Sequence, residues 1–169
     1  MNTKSAIERV RRAGALLFAG VAVAVLVACG SKVDLEAPPE IIYGRDLCDQ
    51  CGMSIDEARF AASYITESGE TRRFESIGDM LAYDLEHDEA VYRYWVHDYE
   101  TEAWVRGDEA FYILSDKIVT PMGVGLIASA TGEGAEALAS RWDGTVLKFD
   151  NVMTLAAGGH FEHGHEMGN

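Results

Sequence analysis

The sequence predicts an α+β fold: two ββαβ units related by a pseudo-twofold and packed as one compact domain. Three observations carry this expectation. Short runs rich in β-branched and aromatic residues recur along the chain, two stretches open with helix caps at Ser76 and Thr120, and the signals come in the same order in both halves, about 44–101 and 102–157.

The chain begins with a basic segment (Lys4, Arg9, Arg11, Arg12) leading into the uncharged run 13–28, which ends LVAC at Cys29. The run falls short of a usual span of ~20 apolar residues and stops at a small residue before cysteine, so residues 1–28 read as a lipoprotein signal peptide cleaved before a lipidated Cys29. Gly30 after that cysteine fits outer-membrane sorting facing the periplasm if the source is Gram-negative. Residues 29–43, with Pro38 and Pro39 among charges, read as a lipidated tether.

FAASYI (60–65), the turn SGE (68–70) and TRRF (71–74) read as a hairpin. Ser76 with Asp79 three residues on resembles a capping box, and Ile77, Met80, Leu81 and Leu85 fall at helical spacing. VYRYWVHDY (91–99) reads as the strand that closes the first unit. In the second, AWVRG (103–107) and AFYIL (110–114) flank the Gly107-Asp108 turn. TPMGVGLIASA (120–130) then reads as a helix capped by Thr120 with Pro121 at its first position, and TVLKF (145–149) as a strand. Residues 158–169 read as a flexible tail.

Charge narrows the function classes. Without the signal segment the chain keeps 10 of its 14 basic residues and 27 of its 28 acids, a net of −17, which opposes binding to nucleic-acid phosphates. No nucleophile elbow, phosphate-cradling glycine loop or HExxH helix is present, so the chain does not read as an enzyme.

With Cys29 claimed by lipid, Cys48 and Cys51 in CDQCGM act as a pair or not at all. A bridge between them closes a very short loop and constrains little of the unfolded chain, so a structural staple is a poor reason for the pair. Two thiolates at this spacing can face one ion, Gly52 lets the chain turn back, and Met53 adds a thioether. These soft donors suit Cu(I), whereas structural zinc takes four nitrogen or sulfur ligands and no thioether. Zinc held with His87, His97 or the tail stays open, as does reversible oxidation of the pair, although a thioredoxin-like dithiol wants a helix directly after it. Most methionines fill cores, and Met80 fits the buried helical stripe. Met122 differs, set between Pro121 and Gly123 where the two halves would face each other. The tail residues His160, His163, His165 and Met167 offer a weak, flexible set of metal donors.

The lipobox, CDQCGM, FAASYI, RFESIGDMLAY, WVHDY, Trp104 followed by VRGDEAFY, and TPMGVG, taken in this order, resemble the NosL family of copper lipoproteins that accompany nitrous oxide reductase. The resemblance covers roughly residues 48 to 149. It implies a membrane-anchored metallochaperone that binds one Cu(I) and helps assemble the reductase's copper centres, in a duplicated ββαβ fold also likened to an organomercury lyase. By position it implies Cys48, Cys51 and Met122 as copper ligands or close neighbours and Met53 as the motif methionine. The histidine tail is not part of it. The rival readings are an extracytoplasmic dithiol oxidoreductase and a lyase-like thiol enzyme, which would need an acid such as Asp49 or Asp56 beside its thiols.

Overall fold

A computed structural model describes residues 34–159 and 161. Its elements are β1 (Ala62–Thr66), β2 (Thr71–Phe74), α1 (Ile77–His87), β3 (Val91–His97), β4 (Trp104–Arg106), β5 (Phe111–Leu114), β6 (Leu126–Ser129), α2 (Gly132–Trp142), β7 (Thr145–Leu147) and α3 (Phe149–Ala157). They build two antiparallel sheets, ordered β2-β1-β3-β4 and β6-β5-β7, so the chain is α+β as expected.

The hairpin β1–β2 pairs Ala62 with Phe74 and Tyr64 with Arg72, which sends Tyr64 and Phe74 to one face. There the two rings pack 5.4 Å apart and α1 covers them with Ile77, Met80 and Leu81, all buried. Helix α1 starts where Ser76 Oγ accepts the Asp79 amide and ends at Asp88, whose left-handed backbone (φ 49°) returns an amide to the Asp84 carbonyl. Leu85, expected on the buried stripe, stays 46 % exposed at the rim of a cleft. A second, smaller core of Phe60, Ile113, Ile127 and Leu138 lies between the β6-β5-β7 sheet and α2.

The two sheets meet where Asp98 bridges Ala128 in parallel and the Tyr99 amide donates to the Ala128 carbonyl at 2.9 Å. The buried Asp98 carboxylate ties the junction: one oxygen accepts the Ala130 amide (2.8 Å), the other the Thr101 amide and hydroxyl. Those donors hold its carboxyl below its ordinary range even though burial alone pushes the other way.

The second half differs from expectation in three ways. AWVRG supplies β4, which pairs with β3 and closes the first sheet. Residues 120–130 are not a helix: they form a turn followed by β6. Gly123 and Gly125 take φ of 74° and 69°, the Thr120 hydroxyl accepts the Gly125 amide across the turn, and Leu126 to Ser129 pair with β5. At Gly125 any Cβ would lie 2.1 Å from the Ser115 carbonyl oxygen, so the backbone there is open to glycine alone. The helix of this half is α2, capped by Thr131, and TVLKF stops at Leu147 because Phe149 opens α3. The strand orders β2-β1-β3 and β6-β5-β7 both place the first strand of a ββαβ run in the centre.

The described part of the expected tether lies against the β2-β1-β3-β4 sheet, on the face opposite Tyr64. Glu36 pairs with Arg93 at 3.0 Å, the Glu40 carbonyl accepts Arg73 Nε, and Tyr43 Oη meets His97 Nε2 at 3.1 Å. Pro39 and Ile41, between these contacts in sequence, are buried, Ile41 as part of the main core.

Candidate metal centre

The stretch CDQCGM forms a tight loop closed on itself. Leu47 bridges Ser54, the Cys48 amide donates to the Met53 carbonyl and the Gly52 amide to the Cys48 carbonyl, both at 2.8 Å, while Gly52 takes φ 73° to allow the reversal. Asp49 clips the loop to β2: its amide donates to the Arg73 carbonyl and its carboxylate accepts the Arg73 amide at 2.7 Å. Ile55, fully buried, anchors the exit.

This clip carries the cysteines to the N-terminus of α1, which follows directly from β2. Both thiols are free; Cys48 is buried at 2 % exposure and Cys51 is half-buried. The Cys48 and Cys51 sulfurs and an Asp79 carboxylate oxygen all lie within 4.8 Å of one another. Asp79 sits at the third position of α1, where its own amide donates to Ser76 Oγ and its carboxylate accepts from that hydroxyl at 3.0 Å. Burial pushes the Cys48 thiol up to about 12, against backbone amides of Glu75 and Cys51 that favour the thiolate, and the nearby Asp79 charge pushes the same way as burial. A bound cation would reverse that balance, because a coordinated thiol is deprotonated.

In front of the sulfurs opens a cleft of about 670 Å³. Cys51 and Met53 line it from the loop, Gly78 and Asp79 from α1, Met122 from the turn before β6, and Ala156 and Phe161 from the C-terminal end. Met122 reaches this position because the turn packs on α1 at Gly78, where an added Cβ would meet Val124 Cγ2 at 2.6 Å. Cys51, Met53 and Met122, separated in sequence, thus share one cavity, with Cys48 beside Cys51 in the wall behind it.

Asp79 is the residue that sequence reasoning missed. Its place three residues after Ser76 reads as half of a capping box, and the cue lies in that same place: the first turn of a helix that follows β2 directly sits beside the loop clipped to β2. Neither Asp49, which holds β2, nor Asp56, which accepts the Ser54 hydroxyl, joins the cluster. His87 stacks on Tyr83, and His97 is buried between Tyr43, Trp104 and the Ala61 carbonyl; neither lines the cleft. The tail donors His160, His163, His165 and Met167 lie outside the described residues, as do Cys29 and the segment before it. Among the described residues no helix is long and apolar enough to cross a membrane.

A soft-donor pair in an α+β domain, one thiol buried and the other half-buried, with thioethers facing the same cavity, defines the class as a candidate sulfur-rich metal-binding protein without a thioredoxin fold. The sequence model of the NosL family matches residues 39–156, and the chain belongs to that family. It is 27 % identical over 165 residues to the copper-binding lipoprotein NosL of Stutzerimonas stutzeri, covering 86 % of this chain and 87 % of that protein. Its fold matches the crystal structure of the copper chaperone NosL from Shewanella denitrificans with a TM-score of 0.59 at 20 % identity, over 67 % of this chain and 93 % of that one.

Proposed function

We propose that this chain is a membrane-anchored copper chaperone that carries Cu(I) on Cys48 and Cys51, with thioether support from Met122 and Met53, and hands it to nitrous oxide reductase during assembly of its copper centres. The observation that carries the reading is the convergence of Cys51, Met53 and Met122 on one cleft with Cys48 beside Cys51. Thiolate and thioether sulfur form a set that favours Cu(I) over harder ions. Relatives named as a copper-binding lipoprotein and a copper chaperone support the same cargo. The anchor is a lipid on Cys29, which places the domain outside the cytoplasm, on the outer membrane facing the periplasm in a Gram-negative cell. The tail histidines serve as a weaker store beside the main site.

The protein acts by ligand exchange, not turnover. The buried Cys48 holds the ion from behind, and the cleft leaves its front open to a donor from the acceptor protein. Metal passes through a shared-ligand state without becoming free. The test is transfer: loaded protein is mixed anaerobically with copper-free nitrous oxide reductase behind a membrane or alongside it in one chamber, in the presence of a Cu(I) chelator. Transfer that requires direct contact and outpaces the chelator supports the reading. Transfer at the rate of chelator-released copper overturns it.

A further inference from the structure

The face of the β2-β1-β3-β4 sheet that residues 34–43 cover gathers positive charge in an acidic chain. The strand register aligns Arg73, Ser63, Trp95 and Arg106 across it, and Arg93, two residues from Trp95 on β3, shares the face. Several donors there have nothing to donate to. Trp95 is 7 % exposed and its indole N–H meets no acceptor; the Arg93 side chain is 12 % exposed, and its Nε and Nη1 meet none either. Buried donors left without acceptors cost stability, so the segment above them fills this face imperfectly. We propose that the face is a docking site for an acidic, extended segment of a partner protein, and that residues 34–40 occupy it as an internal stand-in.

The stand-in shows which chemistry the face takes. Residues 34–40 read DLEAPPE, with three acids, no base, and two prolines that fix φ and remove two backbone N–H donors. Toward the arginines the segment only accepts: a Glu36 carboxylate oxygen takes Arg93 Nη2 at 3.1 Å, and the Glu40 carbonyl takes Arg73 Nε at 2.8 Å. A second carboxylate beside Arg93 and Trp95 would meet the donors that Glu36 leaves unmet. The depth of Arg93 calls for a narrow chain laid along the same path, since a flat anionic surface does not reach it.

The stand-in is held lightly enough to be exchanged. Among residues 34–40 Pro39 alone is buried, and the Glu36 side chain is 63 % exposed, where an ion pair adds little. Firm anchoring begins at Ile41 in the main core. Displacement has a consequence that rests on the lipid at Cys29 proposed above. The linker between lipid and anchored fold grows from five residues to twelve, and its greatest span from ~17 Å to ~40 Å at ~3.3–3.6 Å per residue. Docking at this face and reach from the membrane are thereby coupled.

The test uses the full chain and a fluorescein-labelled peptide copying residues 34–40. Glu36→Lys sets a like charge against Arg93 and loosens the stand-in without entering the core. This variant should bind the peptide at least fivefold more tightly than the unmodified chain does. A peptide with glutamine in place of Glu36 should bind the variant at least fivefold more weakly, and adding Arg93→Gln to the variant should abolish binding. A second readout keeps Arg93 in place: in ¹⁵N-labelled Glu36→Lys protein the peptide should shift the indole N–H signal of Trp95, assigned through Trp95→Phe, and not that of Trp142 beside the smaller core. The proposal is overturned by absence of binding to Glu36→Lys, by equal binding of the two peptides, by binding that survives Arg93→Gln, or by a Trp95 signal that stays in place. Binding to phosphatidylglycerol vesicles instead of the peptide overturns it as well. The copper reading takes no part in these measurements, so either can fail alone.

Discussion

Cys48 and Cys51 share a motif yet do different work. Cys48 is buried against the α1 terminus and Cys51 lines the cleft, so in the proposed copper carrier the first would hold the ion and the second would face exchange. Either cysteine changed to serine should weaken Cu(I) by far more than Met80→Leu, because Met80 is fully buried core and does not line the cleft. A chelator competition across the three variants reads this directly, and equal affinities would contradict it. Asp98 carries a separate, structural prediction. Asp98→Asn removes a charged acceptor from the Ala130 and Thr101 donors and should cost about 2–3 kcal/mol by urea denaturation. The sign follows from its lowered carboxyl. Its contribution is present above the unfolded value of roughly 3.9 and fades as pH falls through the lower folded value, so the gap between unmodified protein and variant should narrow under strong acid. At this scale the cysteines were legible because their chemistry is local. Asp79 was not, because its role depends on Asp49 pinning a distant loop beside it.

Elements were legible where one signal dominated. Ser76 and its apolar stripe marked α1 correctly, since cap and periodicity agreed. Residues 120–130 misled because a short apolar run following Thr-Pro reads equally as helix or buried strand. What decides is Gly125, pressed against Ser115 by tertiary contact, which no local pattern reveals. Helix α2 was hidden by Gly132 and Gly134, poor helix formers, of which Gly134 is present because the turn packs tightly: a Cβ there would lie 2.6 Å from Ser129 Oγ. The turn and α1 together make a further prediction. Gly78→Ala places a methyl against Val124 and shifts the Met122 turn away from the cleft, so Cu(I) affinity should drop several-fold while the cysteine loop keeps its fold. In a Met122→Leu background the same substitution should cost little additional affinity. Full additivity would show that Gly78 does not act through Met122.

For the molecule as a whole, the amphipathic runs and their order were enough to assign the α+β class, and the spaced motifs enough to suggest the family. Sequence composition could not show that residues 34–43 leave their expected tether role to cover a sheet face, because Glu36, Glu40 and Tyr43 look like linker residues until Arg93, Arg73 and His97 are placed opposite them. If Cys29 carries the lipid, Cys29→Ala should move the protein from the membrane to the soluble fraction without altering Cu(I) affinity, as fractionation and titration would show. The central claim is that CDQCGM is the heart of a copper carrier. It is tested most directly by anaerobic Cu(I) titration against a competing chelator, run on the unmodified protein and on the variant with Cys48 and Cys51 both changed to serine. Tight, stoichiometric binding that disappears in the double variant is the predicted result; weak binding, or binding that survives the double variant, would contradict it.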